Sequence, residues 1–136
     1  MIDAATRRLV IERAKNHCEY CRLPQSAYAA TFNVDHIAAV QHGGGDDDEN
    51  LALSCPKWNR KKGPNLAGID PLTKATVLLF NPRKDLWKDH FRWNGPLLAG
   101  LTPCGRATIS VLDLNADSRV ELRVALIALG SFPPEI

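Results

Sequence analysis

His17-Cys18-Glu19-Tyr20-Cys21, Asn33-Val34-Asp35-His36-Ile37, Gly43-Gly44-Gly45-Asp46-Asp47-Asp48-Glu49-Asn50-Leu51-Ala52-Leu53-Ser54-Cys55 and Pro56-Lys57-Trp58-Asn59-Arg60-Lys61-Lys62-Gly63 are the pieces on which the reading of this chain turns. The first is a tight cysteine knuckle. Phe32, Val34 and His36 alternate with Asn33 and Asp35, the period of a strand. Three glycines and the acidic run Asp46 to Glu49 make a flexible loop. Leu51 to Ser54 forms a second short strand. Residues 56–62 suit a basic helix, with Pro56 at its first position and a stop at Gly63-Pro64. The local order is knuckle, strand, glycine loop, strand, basic helix.

Working outward, residues 4–16 read as a helix with Asp3 as N-cap and Leu9, Val10 and Ala14 at helical spacing. Beyond Pro64, Thr76 to Phe80 is apolar and β-branched enough for a strand, ended by Asn81-Pro82. Residues 83–89 suit a short helix carrying Trp87, followed by His90, Phe91 and Trp93. Residues 103–114 and 118–129 read as two further helices. The second opens on Ser118-x-x-Glu121, a capping-box pattern, and closes at Gly130. No linker or repeat interrupts the chain. The expectation is an α+β fold in one domain over 1–136, with a core at about 14–66 and a C-terminal elaboration of a short strand and helices at about 67–136.

Composition narrows the function classes. The chain has 136 residues and 15.0 kDa, with 45% hydrophobic and 24% charged residues, which excludes a disordered or fibrous protein. Apolar runs such as Ala75 to Phe80 fall far short of the roughly 20 residues a membrane span needs. Met1-Ile2-Asp3 shows no basic segment leading an apolar one, so a cytoplasmic location is expected. In that compartment four cysteines read as metal ligands or buried thiols rather than disulfides. A net charge of +2 does not by itself argue for nucleic acid. The distribution says more: Lys57, Arg60, Lys61 and Lys62 cluster soon after the acidic run, although charge runs are usually solvated faces. A third cluster, Arg83, Lys84, Lys88 and Arg92, is diluted by Asp85 and Asp89.

Four motifs appear in order: Cys18-x-x-Cys21; Val34-Asp35-His36-Ile37; Asn50-Leu51-x-Leu53-x-Cys55; and Asn59-x-x-Lys62-Gly63. In this order and spacing they resemble the HNH endonuclease family, the ββα-metal fold, in the form whose third motif residue is Asn. The tail is similar to that of small standalone bacterial HNH proteins, through Gly68-Ile69-Asp70-Pro71, Leu79-Phe80-Asn81-Pro82-Arg83, Trp87-x-x-His90-Phe91-x-Trp93 and Gly105-Arg106-Ala107-Thr108. The resemblance implies a DNA endonuclease using a divalent metal, Mg²⁺ or Mn²⁺. It implies that His36 is the general base, Asp35 a metal ligand, and Asn50 the residue that fixes the imidazole through its side chain or carbonyl. Asn59, at the third motif position, would give the ion a second oxygen. Lys57, Arg60, Lys61 and Lys62 would hold the phosphate backbone of DNA. These residue types suit the chemistry. Phosphodiester hydrolysis needs a proton acceptor near neutral pH, a hard cation on oxygen ligands, and neutralisation of charge building on the phosphate. Neighbours on a strand point to opposite faces, so the strand must end or twist between Asp35 and His36 if both serve one site.

Relatives with a leading Cys-x-x-Cys repeat it after the second strand, and the four thiolates then close a structural Zn²⁺ site. Here Cys55-Pro56-Lys57-Trp58 puts Trp in the fourth place, and an indole N–H only donates. Cys18, Cys21 and Cys55 remain. His17, a water or Cys104 would complete a zinc shell; alternatively the zinc is lost and Trp58 plugs the gap. Blander roles stay open for single residues: His36 as a satisfied core histidine, Asn50 as a turn former, and Asn59 and Lys62 as solvent-facing helix residues. Two other functions compete. One is a non-catalytic nucleic-acid-binding module that keeps the fold after its zinc site decayed. The other is a structural zinc knuckle for protein contacts, which leaves the Asp35-His36 pair unexplained.

Overall fold

Asp3 starts the first helix, its carboxylate accepting the Thr6 N–H at 2.7 Å. That helix, α1, runs Ala4–Arg13 in the computed structural model, which describes residues 2–56 and 62–135. Lys57, Trp58, Asn59, Arg60 and Lys61, and with them the body of the helix expected over 56–62, lie outside the described residues. α1 stops short of the expected residue 16 because Lys15 and Asn16 take φ of +52° and +59°. Left-handed backbone cannot continue a right-handed helix. The described chain divides into two compact units, residues 1–66 with 81–84, and residues 67–80 with 85–136.

In the first unit β1, Asn33–His36, pairs antiparallel with β2, Leu51–Ser54. The register sets Asp35 against Ala52 and His36 against Leu51. Both strands fall where the alternation and the apolar run place them. β2 is buried along its whole length, whereas β1 is half-buried. The cysteine knuckle closes the other side of β2: Glu19 N–H donates to the Leu53 carbonyl at 2.9 Å, and the Glu19 carboxylate accepts the Leu53 N–H at 2.9 Å. An open strand edge is thereby satisfied. The second Glu19 oxygen takes the Arg83 guanidinium, so Arg83 is committed to the scaffold. Val10, Tyr20, Leu23, Leu51 and Leu53 fill this core.

The second unit holds more strand than the single one expected. β3, Ala67–Ile69, pairs with β4, Thr76–Leu78, and β5, Phe91–Asn94, pairs with β6, Leu97–Gly100. The expected strand 76–80 is therefore shorter, and the expected helix 83–89 contracts to one turn, α2, at Trp87–His90. α3 spans Pro103–Leu112 with Thr102 as N-cap. α4 spans Asp117–Ala128 and has Ala116 as its N-cap residue with no side-chain cap, so Ser118 is not the capping residue the sequence pattern suggested. Phe91, Trp87, Trp93 and Phe132 contact one another in that order, with centroid separations of 5.2, 5.6 and 4.8 Å, which places these aromatics in packing. The Arg123 guanidinium lies 5.2 Å over Trp93 and donates to the Pro96 and Leu114 carbonyls. The result is an α+β architecture of short helices and small antiparallel sheets.

Candidate functional site

The site is built on the β1–β2 hairpin. β1 ends at His36, and the imidazole stands at the strand's mouth about a quarter exposed (27%). Its Nε2 donates to Asp46 Oδ1 at 2.7 Å. A carboxylate only accepts, so Nε2 carries a hydrogen, and in the neutral ring the lone pair is on Nδ1. The same hydrogen bond holds the Asp46 carboxyl below its ordinary value.

Asn50 works on the backbone that follows His36. Its carbonyl accepts the Ile37 N–H at 2.8 Å, and its side-chain oxygen accepts the Ala38 N–H at 2.9 Å. Its amide donates to the Ala38 carbonyl at 3.0 Å and the Gly45 carbonyl at 2.8 Å. One side chain thus ties the exit of β1 to the glycine loop. Gly44 makes the approach possible: a Cβ there would lie 1.8 Å from the Ala38 oxygen. Asn50 holds the strand behind the imidazole, and the group on the ring itself is Asp46, which the sequence reading missed. The signal was weak, since Asp46 opens a run of four acids and only the fold says which one reaches the ring.

Asp35, like His36, is half-buried. Burial pushes its carboxyl up, opposed by the Lys62 ammonium and then by His36. Lys62 is 3% exposed and donates to the Ile37 carbonyl at 2.8 Å. That is a correction to the sequence reading, which put Lys62 in the phosphate-holding surface. Its ammonium is held by the Ile37 carbonyl and by the charge of Asp35, and burial in turn lowers its pKa. Lys57, Arg60, Lys61 and Asn59 lie outside the described residues, so the expected basic surface and second oxygen ligand do too. Among the described residues, Asp35, His36 and Asp46 do not gather into one three-donor group.

The cysteines do gather. Sγ atoms of Cys18, Cys21 and Cys55 lie within 4.8 Å of one another, all fully buried, with Cys21 and Cys55 at 3.9 Å. Ligands about 2.3 Å from a tetrahedral zinc sit about 3.8 Å apart, so the spacing suits a zinc-sized ion. Burial pushes the Cys18 thiol up to about 12 and the Cys55 thiol upward as well. A cation that displaces those protons is what turns the three into ligands. Neither alternative fourth ligand joins them among the described residues. His17 Nδ1 donates to the Lys15 carbonyl at 2.5 Å, and Cys104 groups with Asp85 and His90. Trp58 lies outside the described residues.

The candidate site thus pairs a histidine at the mouth of a two-stranded hairpin with a three-cysteine knuckle at metal-ligand spacing. Residues 18–65 match the family model HNH endonuclease. No curated protein and no solved structure matches the chain. Among the described residues no helix is long and apolar enough to cross a membrane.

Proposed function

We propose that the chain is an endonuclease that hydrolyses DNA phosphodiester bonds with a divalent metal and His36 as general base. The observation that carries the reading is the His36–Asp46 pair at the mouth of the hairpin, within the HNH segment. With Nε2–H committed to Asp46, the ring presents Nδ1 to accept a proton from an attacking water. Asp46 steadies the ring and stabilises the imidazolium that forms, as a carboxylate partner does in other histidine bases. Asn50 keeps the strand end and loop in register, so the ring does not drift.

Asp35 and Asn59 are the oxygen donors assigned to the catalytic ion, Mg²⁺ or Mn²⁺, and a carboxylate with an amide carbonyl suits a hard cation. When bound, that ion neutralises charge developing on the phosphate. Cys18, Cys21 and Cys55 suit Zn²⁺ as a staple for the knuckle behind β2. Lys57, Arg60 and Lys61 are assigned to the DNA backbone, a contact that carries affinity without sequence preference.

Supercoiled plasmid incubated with the protein and Mg²⁺ or Mn²⁺ tests this. Nicking should appear, vanish with EDTA, and fall at least about a hundredfold in His36→Ala, the usual range for a lost general base. Retention of DNA in a gel shift without any nicking would overturn the enzyme reading in favour of a binding module.

A further inference from the structure

Asp85, His90 and Cys104 belong to the second unit, outside the segment that matches the HNH family, and the proposed nuclease uses none of them. One ligand atom from each lies within 4.8 Å of the other two, and all three residues are half-buried. We propose that they form a second metal site, taking a zinc-type divalent cation on three protein ligands with a fourth position open to solvent. This inference stands apart from the nuclease reading.

The donor chemistry selects the ion. Sulfur, imidazole nitrogen and carboxylate oxygen are the three ligand types zinc accepts, whereas Mg²⁺ and Ca²⁺ prefer oxygen throughout. A thiolate beside a carboxylate is a like-charge pair that costs free energy unless a cation sits between them.

The scaffold is built to hold these groups still. Thr102 Oγ1 lies 2.6 Å from His90 Nδ1 and also accepts the Gly105 N–H at 3.0 Å, capping α3. Cys104 is the second residue of that helix, so one hydroxyl fixes two of the three ligands. Thr102 takes Nδ1, which assigns Nε2 to the ion, the outer-shell arrangement expected around a ligating histidine. The backbone reinforces it. β5 begins directly after His90 and β6 returns to Gly100, so that the Leu101 N–H donates to the His90 carbonyl at 2.8 Å. A Cβ on Gly105 would stand 2.1 Å from that same oxygen, so only glycine lets the helix approach this closely.

A Cys-His-Asp nucleophile does not fit the geometry. Such a triad sets its carboxylate on the ring nitrogen opposite the thiol. Here Nδ1 meets a threonine, and thiol, carboxylate and one ring nitrogen share a single gap.

The test compares metal-stripped full-length protein reloaded with Co²⁺ as wild type, Cys104→Ser and Asp85→Asn, with far-UV circular dichroism as a folding control. Each variant should bind one equivalent less than wild type, and Cys104→Ser should lose part of the thiolate-to-cobalt absorption. Equal stoichiometry in folded wild type and folded variants would overturn the site. A second measurement needs no substitution. With Zn²⁺ loaded, Cys104 should alkylate about tenfold more slowly than after chelation, mapped by peptide mass. Equal rates at Cys104 would also overturn it.

Discussion

Asp46 and Asn50 divide one task, the first holding the imidazole of His36 and the second the backbone on which it stands. Lys62 shows how a charged residue can serve from the inside. Its ammonium reaches the Ile37 carbonyl one residue beyond His36 and offsets the charge of Asp35. Lys62→Met should therefore lower stability by about 2 kcal/mol, the range for a lost hydrogen bond to a charged group. It should leave the salt dependence of DNA binding unchanged. A phosphate-contacting lysine would behave oppositely, reducing the slope of log K against log salt by about 1 with little change in melting temperature. His36, Asp35 and Asn50 could be singled out from residue types and order. Asp46 and the inward turn of Lys62 could not, because a loop acid and a basic run look alike in sequence whether they meet solvent or another side chain.

At the level of elements, strands with clear alternation were legible and those with mixed cues were not. β1 falls where the period of two placed it and β2 on the Leu51–Ser54 run, and α1 begins at its N-cap. The β5–β6 hairpin was missed although Phe91 and Trp93 alternate with Arg92 and Asn94, and Asn94-Gly95 is a strong turn signal. Three aromatics and a histidine in seven residues drew the reading toward a helix followed by packing residues. In the same unit the β3–β4 connection is secured by Asp70. Its fully enclosed carboxylate takes Arg106 bidentately at 2.9 and 2.9 Å, with Thr73 and the Leu72 N–H as further donors. The Arg106 hydrogen bond holds the Asp70 carboxyl well below the usual carboxylate range. A depressed folded pKa contributes stability that is complete above the unfolded value of about 4 and is lost as pH falls below it. Asp70→Asn should lower the melting temperature by roughly 5–10 °C at pH 7. The difference from wild type should shrink steadily as the pH is taken from about 4 toward 2. A gap that stays constant over that range would mean the ion pair is not the stabilising feature.

For the molecule as a whole, the knuckle gathers three cysteines where a closed tetrahedral zinc site takes four ligands. The knuckle seals the edge of β2, and β2 carries the register that sets His36 at the hairpin mouth. A zinc ion held by these three buried thiols would therefore couple metal content to the position of the imidazole. Residue 58 stands where a fourth ligand is expected from the Cys55-x-x spacing, and a thiolate there would complete a tetrahedron. Trp58→Cys should raise zinc bound at the knuckle toward one per chain and raise the melting temperature by several degrees, roughly 5 °C for each kcal/mol gained. Chelation should then cost the variant more stability than it costs wild type. Metal analysis and thermal melts of the two proteins, each with and without chelator, give the answer directly. Identical zinc content and identical melting in all four samples would mean that residue 58 does not face the cysteines, and that the knuckle is held by packing alone.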